Sequence, residues 1–345
     1  MRAVQQWGVR DIRVVEMDPP RPAPGEVVVA TRAVTICASD LHSYSEGNVG
    51  GIAWDEPFVP GHEAAGVVAD ENGTGLAAGT PVVVDPAAPC LRCDQCADGA
   101  YHLCRHLRFL DLPPVHGAMR ELFAWPASRA FALPTSVDLV EAPLIEPLAV
   151  GVHATELARL LAGGTAAVVG CGAIGLMTLQ MARLRGARTV YALDLLPERL
   201  AVARAVGADE TILVEPGREP AEAVLALTGG RGVDVAFEAA GPLKALLSCI
   251  QMTRPGGEVM VIGIPSEDEY RLSSSILRRH ELRFQFVRRQ NENFPEAISL
   301  AAQGRVALGP VLTHRFPCER AQEAFALAEQ KRDGAVRVAI TFPGG

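Results

Sequence analysis

The chain has 345 residues, 49% of them hydrophobic and 21% charged, with a formal net charge of -8. That length accommodates two domains with sizeable cores, and the acidic balance argues against nucleic acid or an anionic membrane surface as a partner. The opening residues 1–7 carry no apolar run of the kind that directs secretion, so a reducing cytoplasm is the expected setting for the eight cysteines.

The first stretch predicts short strands. Residues 26–30, 66–69 and 81–84 are β-branched runs separated by Pro and Gly. Within it, Cys37 stands in Ile36-Cys-Ala-Ser39-Asp40-Leu-His42, and His62 and Glu63 stand in Pro60-Gly-His-Glu63. Glu146 follows in Leu144-Ile-Glu-Pro-Leu148. Each is ordinary alone, since a single Cys is usually a small core residue and a single His often a satisfied polar group. Together they offer one thiolate, one imidazole and carboxylates, a set that suits a zinc ion keeping an open position.

Between these positions come Cys90, Cys93, Cys96 and Cys104, spaced C-x2-C-x2-C-x7-C. Four thiolates this close can wrap one loop around a tetrahedral ion, and Zn2+ is the usual occupant. Two disulfides are the alternative, which so tight a run would strain. A closed four-thiolate site is structural, with no open coordination position.

Near residue 150 the rhythm changes. Apolar runs at 166–169, 189–193, 210–214, 233–237 and 258–262 alternate with helical patterns starting near Ala173, Pro197, Pro220 and Pro242. Alternation of this kind predicts right-handed crossovers and a doubly wound parallel sheet, an α/β fold. The run 258–262 is expected at the sheet edge, where a second copy of the chain could pair. Residues 165–184 carry no charge before Arg183, and so approach the length of a membrane span. The three glycines in that run favour a buried strand turning into a buried helix. Beyond residue 290 come a helix at 294–303, a short strand, a helix at 319–330 and a strand at 335–340. This tail is too small for its own core and is expected to pack back onto the first domain. The expected division is 1–149, 150–290 and a returning segment 291–345.

Gly170-Cys-Gly172-Ala173-Ile174-Gly175 is a G-x-G-x-x-G string that follows a strand and opens a helix, and Asp194 ends the next strand. Gly170 permits the tight turn, Gly172 lets a pyrophosphate approach the backbone, and Gly175 allows close helix–strand packing. The pyrophosphate would sit on the helix N-terminus. Asp194 would accept the adenosine ribose hydroxyls and repel a 2′-phosphate, which favours NAD over NADP. Arg199, close by, softens that preference.

With these motifs in this order, the chain resembles the zinc-dependent medium-chain dehydrogenases of the alcohol dehydrogenase superfamily over essentially its whole length. Pro113-Pro-Val-His-Gly117, the segment from Leu144 to Ala154 and Thr313-His-Arg-Phe-Pro317 resemble the polyol (sorbitol and xylitol) dehydrogenase branch. The resemblance implies a GroES-like β-rich catalytic domain with a zinc lobe at about 86–108, a Rossmann domain binding NAD, and an active site in the cleft between them. It implies one catalytic and one structural zinc, a small-molecule substrate and a dimer or tetramer. Cys37 and His62 match its catalytic zinc ligands. Glu63 and Glu146 match two acidic positions that trade between ligation and holding the zinc-bound water. Asp40 matches the carboxylate that orients the ligand histidine. Ser39 matches the hydroxyl that takes the substrate proton, and His42 the next member of that relay.

The implied reaction moves a hydride from a secondary hydroxyl of a polyol to NAD+, giving the ketone. L-threonine and L-idonate dehydrogenases of the same family share these ligands. A non-catalytic redox sensor binding NAD and zinc is the alternative of a different class, and it would have no use for Ser39 and His42. Tyr44 and Arg289 stand where pocket residues are expected, although Arg288 and Gln290 replace the aromatics that flank this arginine in polyol enzymes. Arg278, Arg279, Arg283, Arg288 and Arg289 form a basic cluster. A solvated face or a subunit interface is one expectation for it; recognition of an acidic or phosphorylated sugar alcohol is the sharper one.

Overall fold

The computed structural model describes residues 1–49, 52–53, 57–265 and 269–343. These form two units, Met1–Glu146 with Phe294–Gly345, and Pro147–Asn293.

In the first unit the strand Glu26–Thr35 organises the sheet. Nearly all of its side chains are buried, so it is covered on both faces. It pairs antiparallel with Glu63–Asp70 on one side. On the other side its first half takes Leu122–Pro126 and its second half takes Arg337–Thr341. Ala130–Ala132 and Pro81–Val84 extend the sheet beyond Glu63–Asp70, and Leu312–Pro317 extends it beyond Arg337–Thr341. The C-terminal strand is therefore built into the sheet that the N-terminal residues begin. Phe123, Trp125, Tyr44 and Phe325 fill the core beneath it.

Helix Ala38–Glu46 follows that first strand. Its sequence, ASDLHSYSE, has little apolar periodicity, and its ends account for it. Cys37 is the N-cap, with its N–H donated to Asp40 Oδ2 at 2.7 Å, and Gly47 closes the helix in the left-handed region at φ 74°.

The second unit is a six-stranded parallel sheet in the order Glu210–Leu213, Thr189–Asp194, Thr165–Val169, Val233–Glu238, Thr253–Val261, Arg283–Phe286. The strands at the centre are buried almost throughout, as a sheet covered by helices on both faces requires. The strand order reverses between Thr165–Val169 and Val233–Glu238, and a crevice opens at the carboxyl ends of strands at such a point. Residues 165–184 are a strand and the helix Ala173–Leu184. Among the described residues no helix is long and apolar enough to cross a membrane.

One expectation fails here. The run 258–262 does not end the sheet. Thr253–Val261 is interior, flanked by Val233–Glu238 and Arg283–Phe286. The outer strand, RFQF, is too short and too polar on alternate positions to stand out in the sequence, yet it pairs in register with Glu258–Val261 of its neighbour.

Candidate active site

Three donor types meet in the first unit. One ligand atom each from Cys37, His62 and Glu63 lie within 4.8 Å of one another. Cys37 ends the first core strand's exit, while His62 and Glu63 open the strand Glu63–Asp70 beside it. The paired register of the two strands, with Thr35 opposite Glu63, brings the donors together.

Charge around the cluster is tightly arranged. Glu63 is fully buried. Its Oε2 accepts the Thr35 hydroxyl, and its Oε1 lies 3.0 Å from Arg337 Nη2. Arg337 is itself buried and donates from Nη1 to the Ile36 carbonyl at 2.6 Å. Glu146, 5% exposed, is raised to about 7 by burial and then by the charge of Glu63. At His62, burial opposes a positive charge, but Cys37, a hydrogen bond to Asp111 and Asp40 outweigh it and hold the imidazole well above its ordinary value. The surroundings of His62 therefore stabilise positive charge, and a thiol, an imidazole and a carboxylate are the donors an open zinc site uses. The residues present fit that ion.

Other residues singled out by sequence sit as follows. Asp40 is buried, and burial and then the nearby Asp111 carboxylate hold it well above the usual carboxylate range. Its oxygens accept the N–H groups of Cys37 and of Gly61, at 2.7 and 3.2 Å. It braces the backbone of both ligand-bearing segments. His62 Nδ1 instead meets Asp111 Oδ2 at 3.0 Å. Ser39 is half-buried in the first turn after Cys37. His42 is partly exposed, with Nδ1 3.3 Å from Glu46 Oε1. Tyr44 is a correction. It is 2% exposed, its ring centroid lies 5.3 Å from that of Phe325, and its hydroxyl accepts Gln322 Nε2 at 2.8 Å. It is a core side chain, packed against Phe325 and Gln322. Arg337, Thr35 and Asp111 were missed; Arg337 and Asp111 reach the cluster across a long stretch of chain, and Thr35 meets Glu63 through strand pairing.

The cysteine lobe is closed by the antiparallel pair Ala87–Ala88 and Arg108–Phe109. Its four sulfurs lie within 4.8 Å of one another, and all four cysteines are free. Cys93 Sγ stands 3.5 Å from Cys96 Sγ and 3.9 Å from Cys104 Sγ. A disulfide needs about 2.05 Å, whereas thiolates at ~2.3 Å from one tetrahedral zinc lie about 3.8 Å apart. Backbone N–H groups of Arg105 and Cys96 lower the Cys93 thiol to about 6, and burial raises Cys96 to about 12. The sulfurs are thus arranged to fit a zinc ion. Asp94 and Arg105 close the outside of the lobe with two hydrogen bonds of 2.8 and 2.7 Å.

In the second unit the glycine string behaves as its spacing suggests. Gly170 has φ 97°, and a Cβ on Gly175 would lie 1.8 Å from the Gly170 carbonyl oxygen. A Cβ on Gly172, the N-cap of helix Ala173–Leu184, would meet only Arg199 Nη1, at 3.9 Å. Space above the helix N-terminus is therefore open, and Ala173 and Ile174 form the first turn beneath it. Asp194 accepts the N–H groups of Cys171 and Leu196, at 2.7 and 2.9 Å, and each of its oxygens has a further lone pair. Arg278, Arg279, Arg283 and Arg288 are exposed and Arg289 is half-buried.

Known proteins match this arrangement. Residues 23–135 match the family described as alcohol dehydrogenase GroES-like domain, and residues 173–303 match the zinc-binding dehydrogenase family. The chain belongs to the zinc-dependent medium-chain dehydrogenases of the alcohol dehydrogenase superfamily. Within it the chain is polyol dehydrogenase-like. It is 34% identical to a sorbitol dehydrogenase of Bacillus subtilis, covering 99% of this chain and 97% of that protein. It is 35% identical to a putative D-xylulose reductase of Rhizobium meliloti, covering 93% of each. An Escherichia coli oxidoreductase of unknown specificity superposes with a TM-score of 0.93 at 28% identity, over 99% of both chains.

Proposed function

We propose that Cys37, His62 and Glu63 hold a zinc ion at which the chain oxidises a secondary hydroxyl of a polyol to the ketone, with NAD+ as acceptor. The convergence of thiol, imidazole and carboxylate within 4.8 Å, two residues before Ser39, carries this reading. The polyol substrate class is supported by the sorbitol dehydrogenase and D-xylulose reductase relatives. When bound, zinc supplies Lewis acidity toward an alcohol and NAD+ supplies the hydride acceptor.

The chain's own groups do the rest. Arg337 balances the charge of Glu63, so the cluster can present a carboxylate inside the core. Ser39 accepts the substrate's hydroxyl proton, and the part-exposed His42 passes it toward solvent. Glu146, at about 7, can hold or release a proton near neutral pH. The turn from Gly170 to Gly175 takes the pyrophosphate, and Asp194 the ribose. The lobe of Cys90, Cys93, Cys96 and Cys104 holds a second, structural zinc. We infer a cytoplasmic homo-oligomer of two or four chains, for which the outer strand Arg283–Phe286, with Phe286 57% exposed, offers a pairing edge.

The test is NADH formation with sorbitol, xylitol, L-idonate and L-threonine, before and after chelation. Turnover of the neutral polyols, lost on chelation and restored by zinc, is the expected result. Turnover of L-idonate or L-threonine alone would reassign the substrate. Two zinc ions per chain with no turnover on any alcohol would leave a sensor.

A further inference from the structure

We propose that Asp111 is a positioning residue for His62, delivered to the active site by the cysteine lobe. This rests on the reading of His62 as a zinc ligand. The family resemblance gives the orienting carboxylate to Asp40, but the Asp40 oxygens accept the backbone N–H groups of Cys37 and Gly61. The imidazole's Nδ1 is met by Asp111 Oδ2, at 3.0 Å, with both side chains 8% exposed. An imidazole whose Nδ1–H is held by a carboxylate has its tautomer fixed and its Nε2 lone pair free for a metal.

The way Asp111 is presented supports the same role. Its backbone is left-handed, at φ 72°, where a residue with a side chain is uncommon and is kept by its surroundings. It follows the lobe's closing strand, Arg108–Phe109, by two residues. The Phe109 ring lies 5.4 Å from the His62 ring, centroid to centroid, and is also part of the lobe's small core with Ala87 and Tyr101. One short segment thus packs Phe109 beside the His62 ring and holds its Nδ1 with Asp111. The two carboxylates divide the work: Asp40 fixes the backbone that carries the ligands, and Asp111 fixes the ring.

The experiment measures zinc per chain and zinc affinity by chelator competition, beside steady-state kinetics, for Asp111→Ala, Asp111→Asn and Cys37→Ala. Asp111→Ala is expected to weaken one of two zinc ions by about 10–100-fold, leaving the other unchanged. It should lower kcat while KM for NAD+ stays within twofold. Asp111→Asn keeps the volume and an acceptor oxygen, and should recover part of both losses. Unaltered zinc affinity in both Asp111 variants, with Cys37→Ala lacking one zinc, would overturn the role of Asp111 alone. If Cys37→Ala still holds two zinc ions per chain, the zinc reading falls and takes this role with it.

Discussion

Replacing Arg337 by Met tests how the buried charge at the site is held. Arg337 and Glu63 are 7% and 0% exposed at their side chains and 3.0 Å apart. At an effective dielectric of ~20 that separation is worth roughly 5 kcal/mol of attraction, most of which offsets desolvation of the two ions. Removing one partner leaves the other buried and uncompensated, at a cost of about 3–5 kcal/mol. Arg337→Met would leave Glu63 with the Thr35 hydroxyl alone, and the Ile36 carbonyl without its 2.6 Å donor. In a domain of about 150–250 residues each kcal/mol moves Tm by about 2–4 °C, so a drop of roughly 6–20 °C is expected. The assay is thermal melting by circular dichroism in chelator-treated protein, where no metal balances Glu63. Adding Glu63→Gln to Arg337→Met removes the orphaned charge and should recover much of the loss. A drop below about 2 °C, or a double variant no better than the single, would refute the idea that this pair is charge-balanced in the core.

Other outcomes follow from the same geometry. Glu146 is raised from 4.5 to about 7 by burial and the charge of Glu63. Its contribution to stability is therefore full below about 4.5 and lost as pH rises through about 7, roughly 3 kcal/mol in all. In chelator-treated protein, wild type minus Glu146→Gln should show that loss in denaturant titrations, and an equal pH dependence in both would contradict it. Gly172→Ala should fold and raise KM for NAD+, because its Cβ meets no protein atom closer than 3.9 Å. Gly175→Ala should destabilise the second unit, since its Cβ would strike the Gly170 carbonyl at 1.8 Å. Equal melting temperatures for the two variants would count against the packing argument. Cys93→Ala should lose the lobe's zinc and melt earlier, and retention of two zinc ions per chain would contradict that.

What could be read from sequence followed how local each device is. The turn from Gly170 to Gly175 and the four cysteines are each built within a few residues, so their spacing already states their geometry. The alternation of strands and helices after residue 150 is local too. The structure adds what depends on tertiary contact. Arg337 is 301 residues from Ile36 in sequence, and Asp111 is 49 from His62, so no spacing could announce either. Tyr44 is expected in the pocket because it stands where the polyol resemblance places a pocket residue. Helix geometry turns it into the core against Phe325 instead. The outer strand Arg283–Phe286 was hidden because pairing, not hydrophobicity, makes it a strand.

The central claim is that catalysis belongs to the sparse set around Cys37 and His62, and that the dense cysteine run is structural. The most direct measurement is zinc content by mass spectrometry with polyol turnover for wild type and Cys37→Ala. The account predicts two zinc ions and NADH formation in wild type. In Cys37→Ala it predicts one zinc, a cooperative melt near that of wild type, and no turnover. A Cys37→Ala protein that is folded and still oxidises polyols at a rate near that of wild type would contradict it.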